Sequence, residues 1–371
     1  MKVKIHTLFE YLLETTGSEP EAFVGFSLSQ PPKLGDFLGD LDPDLSLDWN
    51  GQSFRGLPAL RDNVLAVSGL SDACAPDDVL ITAGAAEANY LAFQQLVAPG
   101  DRVVTETPGW PQIDVLGRAM GAEMVHVRRR EDDGWAFPMQ AFADAVTPDT
   151  RLIFLTNPNN PTGRLLTDAE LRQVVDIARA ADAWLVVDEV YAGLEWAGPR
   201  PPSIAGMYDK GITTGSVSKA LGLQGLRTGW LICRDPEMVM DAVILRENGS
   251  EIMNIMGEVI AEIALRPERY AAALDAARAE AQKTLTMLDM FIAGQERLSW
   301  VRPEAGLIGL ARVEGEDGET LARNLLTDPY RTFLLPGSAY NEPAHIRVGV
   351  GGGAQANLDV GLIRLAEYLG Q

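Results

Sequence analysis

Between residues 79 and 233, short apolar runs alternate with stretches of helical spacing. The runs at 79–81, 102–105, 123–127, 152–155, 184–187, 212–216 and 229–233 read as strands. Several are almost continuously apolar, as a strand buried on both faces must be. The segments 85–97 and 167–181 instead carry apolar residues at intervals of three and four, the pattern of an amphipathic helix. Strands alternating with helices predict an α/β fold with a central, mostly parallel sheet and helices on both faces. Ligands of such sheets gather at the carboxyl ends of the strands. Past residue 235 the pattern changes. A helix-rich stretch reaches about 293, and short β-like runs follow at 307–313, 332–335 and 346–350 before a closing helix over 357–369. This predicts a smaller α+β domain. The expected division is a large domain over 46–240 and a small domain built from 1–45 together with 241–371.

The length of 371 residues agrees with two domains. The net charge of −21 disfavours nucleic acid and anionic membranes as partners. An anionic ligand would need cations gathered locally. Cys74 and Cys233 are too few for a disulfide framework. No apolar run has transmembrane length and no signal-peptide core opens the chain, so a soluble, cytoplasmic protein is expected. His6, His126 and His345 lie apart without metal-ligand spacing, and no metal is expected. Arg128, Arg129 and Arg130, followed by three acids, read as a solvated strand end.

The candidate chemistry falls at predicted strand ends. Lys219 follows the run 212–216 in Ser216-Val217-Ser218-Lys219, and Arg227 lies eight residues further on. A buried lysine beside cations has a lowered pKa and a nucleophilic amine. Hydroxyls with an arginine fork suit a phosphate. Together they suit a Schiff base with pyridoxal phosphate. Asp188 and Tyr191 end the run 184–187, where a desolvated carboxylate needs a cation such as a pyridinium nitrogen. Without one, Asp188 reads as a helix N-cap. The rigid turn 157–163 can aim Asn160 at a buried acceptor. Gly84, Ala85 and Ala86 open a helix whose free N–H groups suit an anion. Trp110 either stacks on a flat ring or belongs to the core. Arg347 sits in an apolar strand and needs a partner, either a substrate carboxylate or a structural acid.

In their order and joint fit these segments closely resemble the class I/II aminotransferases, fold type I of the pyridoxal phosphate enzymes, over nearly the whole chain. The resemblance implies that Lys219 is the Schiff-base lysine, Asp188 the partner of the pyridine nitrogen, and Asn160 and Tyr191 the partners of the ring hydroxyl. It also implies that Trp110 stacks on the ring. Gly84, Ala85, Ala86, Ser216, Ser218 and Arg227 would serve the phosphate, with Arg347, Asn160 and Ser29 on the substrate side. A homodimer is implied, acting on an L-amino acid or a related metabolite through an external aldimine and a quinonoid. Two departures bear on the reaction. A tyrosine that family members often place five residues before the Gly of G-x-x-x-L-R is replaced by Gly51, and Trp49 and Phe54 are the nearby aromatics. Ser29-Gln30-Pro31 replaces a glycine common at the substrate side. Transamination is the first expectation. Elimination of the C–S lyase kind, cyclisation or decarboxylative deamination, as in capreomycidine synthase-like biosynthetic members, is the alternative. A remote alternative is a serine hydrolase, since Ser216 to Lys219 also spells S-x-x-K.

Overall fold

The computed structural model describes residues 2–47, 53–351 and 357–370. Gly51 and Trp49 lie outside the described residues. A seven-stranded sheet fills the middle of the chain: β1 (Val79–Thr82), β2 (Arg102–Thr107), β3 (Glu123–Arg128), β4 (Thr150–Thr156), β5 (Trp184–Asp188), β6 (Gly211–Ser216) and β7 (Gly229–Cys233). Their order across the sheet is β1-β7-β6-β5-β4-β2-β3. All neighbours are parallel except at β7, which runs against both β1 and β6. The expectation of an α/β fold with a mostly parallel sheet is met. β1 and β5 are buried along their length and β4 at all but Arg151, whereas the edge strand β3 is largely exposed or half-buried, which explains its mixed composition.

The helix over Ala85–Leu96 buries Ala85, Ala88, Asn89, Leu91, Ala92, Phe93 and Leu96 against one face of the sheet. The helix over Asp168–Ala180 covers the other face. It is started by a capping box in which Thr167 accepts from the Glu170 amide and Glu170 accepts from the Thr167 amide. The helix-rich stretch resolves into Pro236–Glu247, Ile255–Ala264 and the long Pro267–Ala293.

An antiparallel sheet follows, with Ile308–Val313 between Leu298–Trp300 and His345–Gly349, and Leu335–Pro336 on the far side of His345–Gly349. The N-terminal strand Ala22–Phe23 pairs in parallel with Thr332–Phe333. The N-terminal helix Thr7–Glu14 turns Leu8 and Tyr11 into the same apolar cluster, and the Tyr11 hydroxyl donates to the Leu334 carbonyl at 3.2 Å.

The arginine triplet departs from expectation. Arg128 and Arg130 are exposed, but Arg129 is only 1% exposed. Its Nε donates to Glu106 at 2.7 Å and its Nη1 to the Trp135 carbonyl at 2.8 Å, with the guanidinium over Phe137. The chain turns just past β3, so alternate arginines point opposite ways and the middle one goes inward. Glu106 also accepts from the Thr156 amide at 2.9 Å, so this buried pair ties the ends of β2 and β4 together.

Candidate active site

The carboxyl ends of β1, β2, β4, β5 and β6 meet at one rim. Because β7 is reversed, the loop entering it, with Arg227, reaches the same rim. There a cavity of about 290 Å³ is lined by Ala85, Ala86, Trp110, Asn160, Asp188, Tyr191, Ser216, Ser218, Lys219, Arg227 and Arg347. Eleven of the thirteen residues singled out from the sequence are thus brought together. The two that are not, Gly84 and Ser29, stand just behind the wall.

Gly84 caps the helix Ala85–Leu96 with φ +84° and ψ 168°, a region almost confined to glycine. A β-carbon there would lie 2.5 Å from Arg227 Nη2. Gly229, at the start of β7, keeps the same approach open, since its β-carbon would lie 2.7 Å from the Ala85 amide nitrogen. The glycines therefore let a guanidinium and a helix N-terminus share one corner. Arg227 donates to the Gln224 and Ala83 carbonyls at 3.2 Å each, and among the described residues no carboxylate pairs with it. An arginine beside free helix amides, left without an acid in a chain of net charge −21, is a fitting place for a phosphate.

Asp188 is 5% exposed, and no helix follows it, so the N-cap reading falls. Burial raises its pKa. The Asn89 amide, donating at 2.9 Å, and the Val190 N–H, at 3.1 Å, oppose that rise, as does the more distant Lys219. Asn89 is itself fixed by the Thr214 hydroxyl, which donates to its Oδ1 at 2.8 Å. The carboxylate is oriented by neutral donors and has no cation in contact among the described residues, which suits a protonated ring nitrogen.

In the turn after β4, two asparagines hold the backbone. Asn157 Oδ1 accepts from the Leu166 amide, and Asn159 Oδ1 from the Thr162 amide and hydroxyl. The third, Asn160, faces the cavity with a buried Oδ1 that has no partner. An orphaned buried acceptor of this kind fits a hydroxyl-bearing ring.

Lys219 Nζ donates to Ser27 Oγ at 3.2 Å, and the Tyr191 hydroxyl donates to the same oxygen at 3.1 Å. Burial, with Arg347 and Arg227 adding to it, lowers the lysine to about 7, while Asp188 pulls the other way. Burial pushes the Tyr191 phenol up to about 12. Lys219 thus bonds to Ser27 rather than Ser216, and bends and turns rather than a helix follow β6, so the S-x-x-K reading gains nothing. Ser29 is displaced from its expected role. Its amide donates to the Lys219 carbonyl at 3.2 Å, its hydroxyl is buried without a partner, and Ser27 takes the place on the wall. Extended residues two apart point the same way, so the register alone could not choose between the two serines.

Arg347 is 5% exposed. Nη1 donates to the Tyr340 hydroxyl at 2.7 Å and Nη2 to the Gly25 carbonyl at 2.8 Å, and Nε is buried without a partner. No acid among the described residues pairs with it, which removes the structural ion pair. Trp110 lines the cavity while its indole N–H donates to Gln112 at 3.0 Å.

Sequence reasoning missed Asn89 and Ser27. The signal for Asn89 was an amide in the buried stripe that Ala85, Ala88 and Ala92 define. Ser27 carried no comparable signal.

The profile described as aminotransferase class I and II matches residues 50–365. An arginine–pyruvate transaminase of Pseudomonas aeruginosa is 30% identical over 81% of this chain and 78% of its own length. Capreomycidine synthase of Streptomyces vinaceus is 27% identical over 90% of this chain and 86% of its own. Among solved structures, a PLP-dependent aminotransferase from Streptococcus suis superposes with a TM-score of 0.90 at 25% identity, covering 100% of this chain and 98% of that one. The PLP-dependent cyclase OrfR superposes at 0.89, also at 25% identity, with the same coverage.

Proposed function

Since the chain belongs to the class I and II aminotransferases, and so to the pyridoxal-phosphate-dependent transferases, we propose that it transfers the amino group of an L-amino acid at the cavity described above. The observation that carries this reading is a set of three charges in one cavity, Arg227, Asp188 and Arg347, that no opposite side chain in contact neutralises among the described residues. Each is matched by one charged part of cofactor or substrate: the phosphate, the ring nitrogen and the α-carboxylate.

Bound pyridoxal phosphate supplies an electrophilic carbon for an amine and a ring that takes up electrons from the substrate α-carbon. The residues of the chain do the rest. Arg227, the amides of Ala85 and Ala86 and the hydroxyls of Ser216 and Ser218 would hold the phosphate. Asp188, steadied by Asn89, would favour a protonated ring nitrogen. Asn160 and Tyr191 would hold the ring hydroxyl, and Trp110 would pack against the ring. Lys219, lowered to about 7 by burial and by the nearby Arg347 and Arg227, is a free amine in a large fraction of molecules at neutral pH, and would be the group that holds the cofactor's carbonyl carbon and shuttles a proton at the substrate α-carbon. Ser27 holds that amine in place beside Tyr191. Arg347, already braced by Tyr340 and Gly25, fixes the carboxylate.

A second reading, cyclisation or elimination on the same site, is supported by the likeness to capreomycidine synthase and to OrfR. The cytoplasmic homodimer, with lobes at 46–240 and at 1–45 plus 241–371, belongs to the same proposal. Exposed Leu34, Leu38, Leu47 and Phe54 support a subunit contact, and the pairing of Ala22–Phe23 with Thr332–Phe333 supports the grouping of the chain ends. No helix among the described residues is long and apolar enough to cross a membrane. The test is borohydride reduction of the holoprotein followed by peptide mapping and product analysis. Cofactor fixed to Lys219, and an amino acid that leaves as its keto acid while the cofactor takes the amino group, are expected. Label on another lysine refutes the site. A cyclised or eliminated product without amination of the cofactor selects the second reading.

A further inference from the structure

Another part of the cavity has a different character. Its wall is built from Leu8 and Leu12 of the N-terminal helix, Phe26 and Leu28 on either side of Ser27, and Leu335. Leu335 is the cross-strand partner of Arg347, so an apolar side chain adjoins the arginine directly. This wall is fixed from behind. Phe26 stacks on Phe333 with ring centroids 5.0 Å apart, Leu8 and Leu335 belong to the apolar cluster of the smaller sheet, and the Tyr11 hydroxyl ties the helix to Leu334.

The charges in the cavity are Asp188, Lys219, Arg227 and Arg347, and each has a task in the reading above. Among the described residues, no further acid or base lines it. A carboxylate or guanidinium on the substrate side chain would therefore lose its water against leucine and phenylalanine with no unassigned counter-charge among this chain's described lining residues, a costly arrangement. An apolar side chain pays nothing of the kind and gains by burial.

We infer that the substrate is an α-amino acid with an aliphatic or aromatic side chain, seated against the N-terminal helix and the Phe26–Leu335 wall. This rests on the proposed reading of Lys219 and Arg347. It sets the chain apart from the relative named for arginine, whose side chain would call for an acid that this wall does not offer.

The experiment is a single-turnover comparison on the holoprotein, following the cofactor absorption with leucine, phenylalanine, glutamate and arginine in turn. The apolar amino acids should exceed the charged ones in kcat/KM by about 100-fold, the range an apolar pocket commands. Equal or better rates with glutamate or arginine overturn the inference and leave the proposed function standing. A cofactor that responds to no amino acid overturns the proposed function, and this inference with it. Leu12→Arg supplies a second measure, since Leu12 is only half-buried. It should raise glutamate relative to leucine by about 10-fold or more. An unchanged ratio in a folded variant overturns the placement of the side chain against this helix. If the variant does not fold, the wild-type comparison decides alone.

Discussion

Asn89→Ala tests the electrostatic design of the site at a residue that the cofactor chemistry does not itself require. The wild-type amide donates to Asp188 at 2.9 Å and accepts from Thr214 at 2.8 Å, and the side chain is fully buried. Losing a hydrogen bond to an ionised group costs about 1.5–3 kcal/mol, and the orphaned Thr214 hydroxyl adds about 1–3 kcal/mol. A total of about 2.5–6 kcal/mol lies mostly below the ordinary stability of a folded protein, about 5–15 kcal/mol, so the variant should fold with a clearly lowered urea midpoint. The loss at Asp188 also has a chemical reading. Its pKa, already raised by burial, should climb further once the opposing Asn89 donor is gone. The ring nitrogen then loses its charged partner for part of the time. The expected result is a fall in kcat of about 10- to 100-fold with KM for the amino acid nearly unchanged, because Arg347 is untouched. Thr214→Val is the control. It keeps the donor to Asp188 and should cost about 1 kcal/mol with little effect on kcat. The double variant should be less unstable than the sum of the two, since they share one hydrogen bond. Stability within about 0.5 kcal/mol of wild type, or kcat within about twofold, would refute the reasoning.

Arg347→Ala should raise KM for α-amino acids by about 100-fold or more while the cofactor stays bound, and an amine without a carboxylate should bind both proteins alike; an unaltered KM contradicts the assignment. Gly84→Ala should strain the backbone by about 1–3 kcal/mol and push Arg227 out of its corner, so equilibrium dialysis should show cofactor affinity down about 10-fold or more; wild-type affinity would mean that the corner does not hold the phosphate. In the cofactor-free protein, Lys219 titrates at about 7 instead of 10.5, so the unfolded chain binds more protons between those values and this group's contribution to stability rises with pH across that window. The rate at which this form captures pyridoxal phosphate should likewise climb as pH passes through 7, and a rate that stays flat from about pH 6 to 8 counts against the lowered pKa.

Much of the architecture could be read from strand-like runs and helical spacing, because a doubly covered sheet leaves a strong apolar signature. The direction of β7 could not, since an apolar run has no polarity of its own. Its clue lay in the connection from Ser216 to Gly229, which has no α-helix such as a parallel crossover normally carries. Asp188 and Arg347 stood out because each is a charged residue where the pattern demands burial, and Lys219, Asn160 and Arg227 because they lie in turns that follow predicted strands. Arg129 was misjudged because composition shows charge but not which way a strand end turns. Asn89 escaped notice because a lone amide in a helix is ordinary until Thr214 and Asp188 are seen on either side of it. Those partners come from distant parts of the chain, Thr214 being 125 positions away.

The reversed strand also bears on how the protein is assembled. Lys219 and Arg227, which would hold the cofactor's carbonyl carbon and its phosphate, lie on a single hairpin connection between β6 and β7, while the Ala85 amides and Asn89 arrive from far upstream. Hairpins close quickly and long-range pairings slowly. The chain would therefore acquire a reactive lysine and one phosphate cation early and complete their surroundings late. Pyridoxal phosphate should bind the finished arrangement better than the hairpin alone, since the other groups assigned to it come from upstream, and by mass action it would then favour the last, slowest docking of those segments. In a cell short of the vitamin from which the cofactor is made, the expected deficit is then in the amount of folded protein as well as in the fraction loaded.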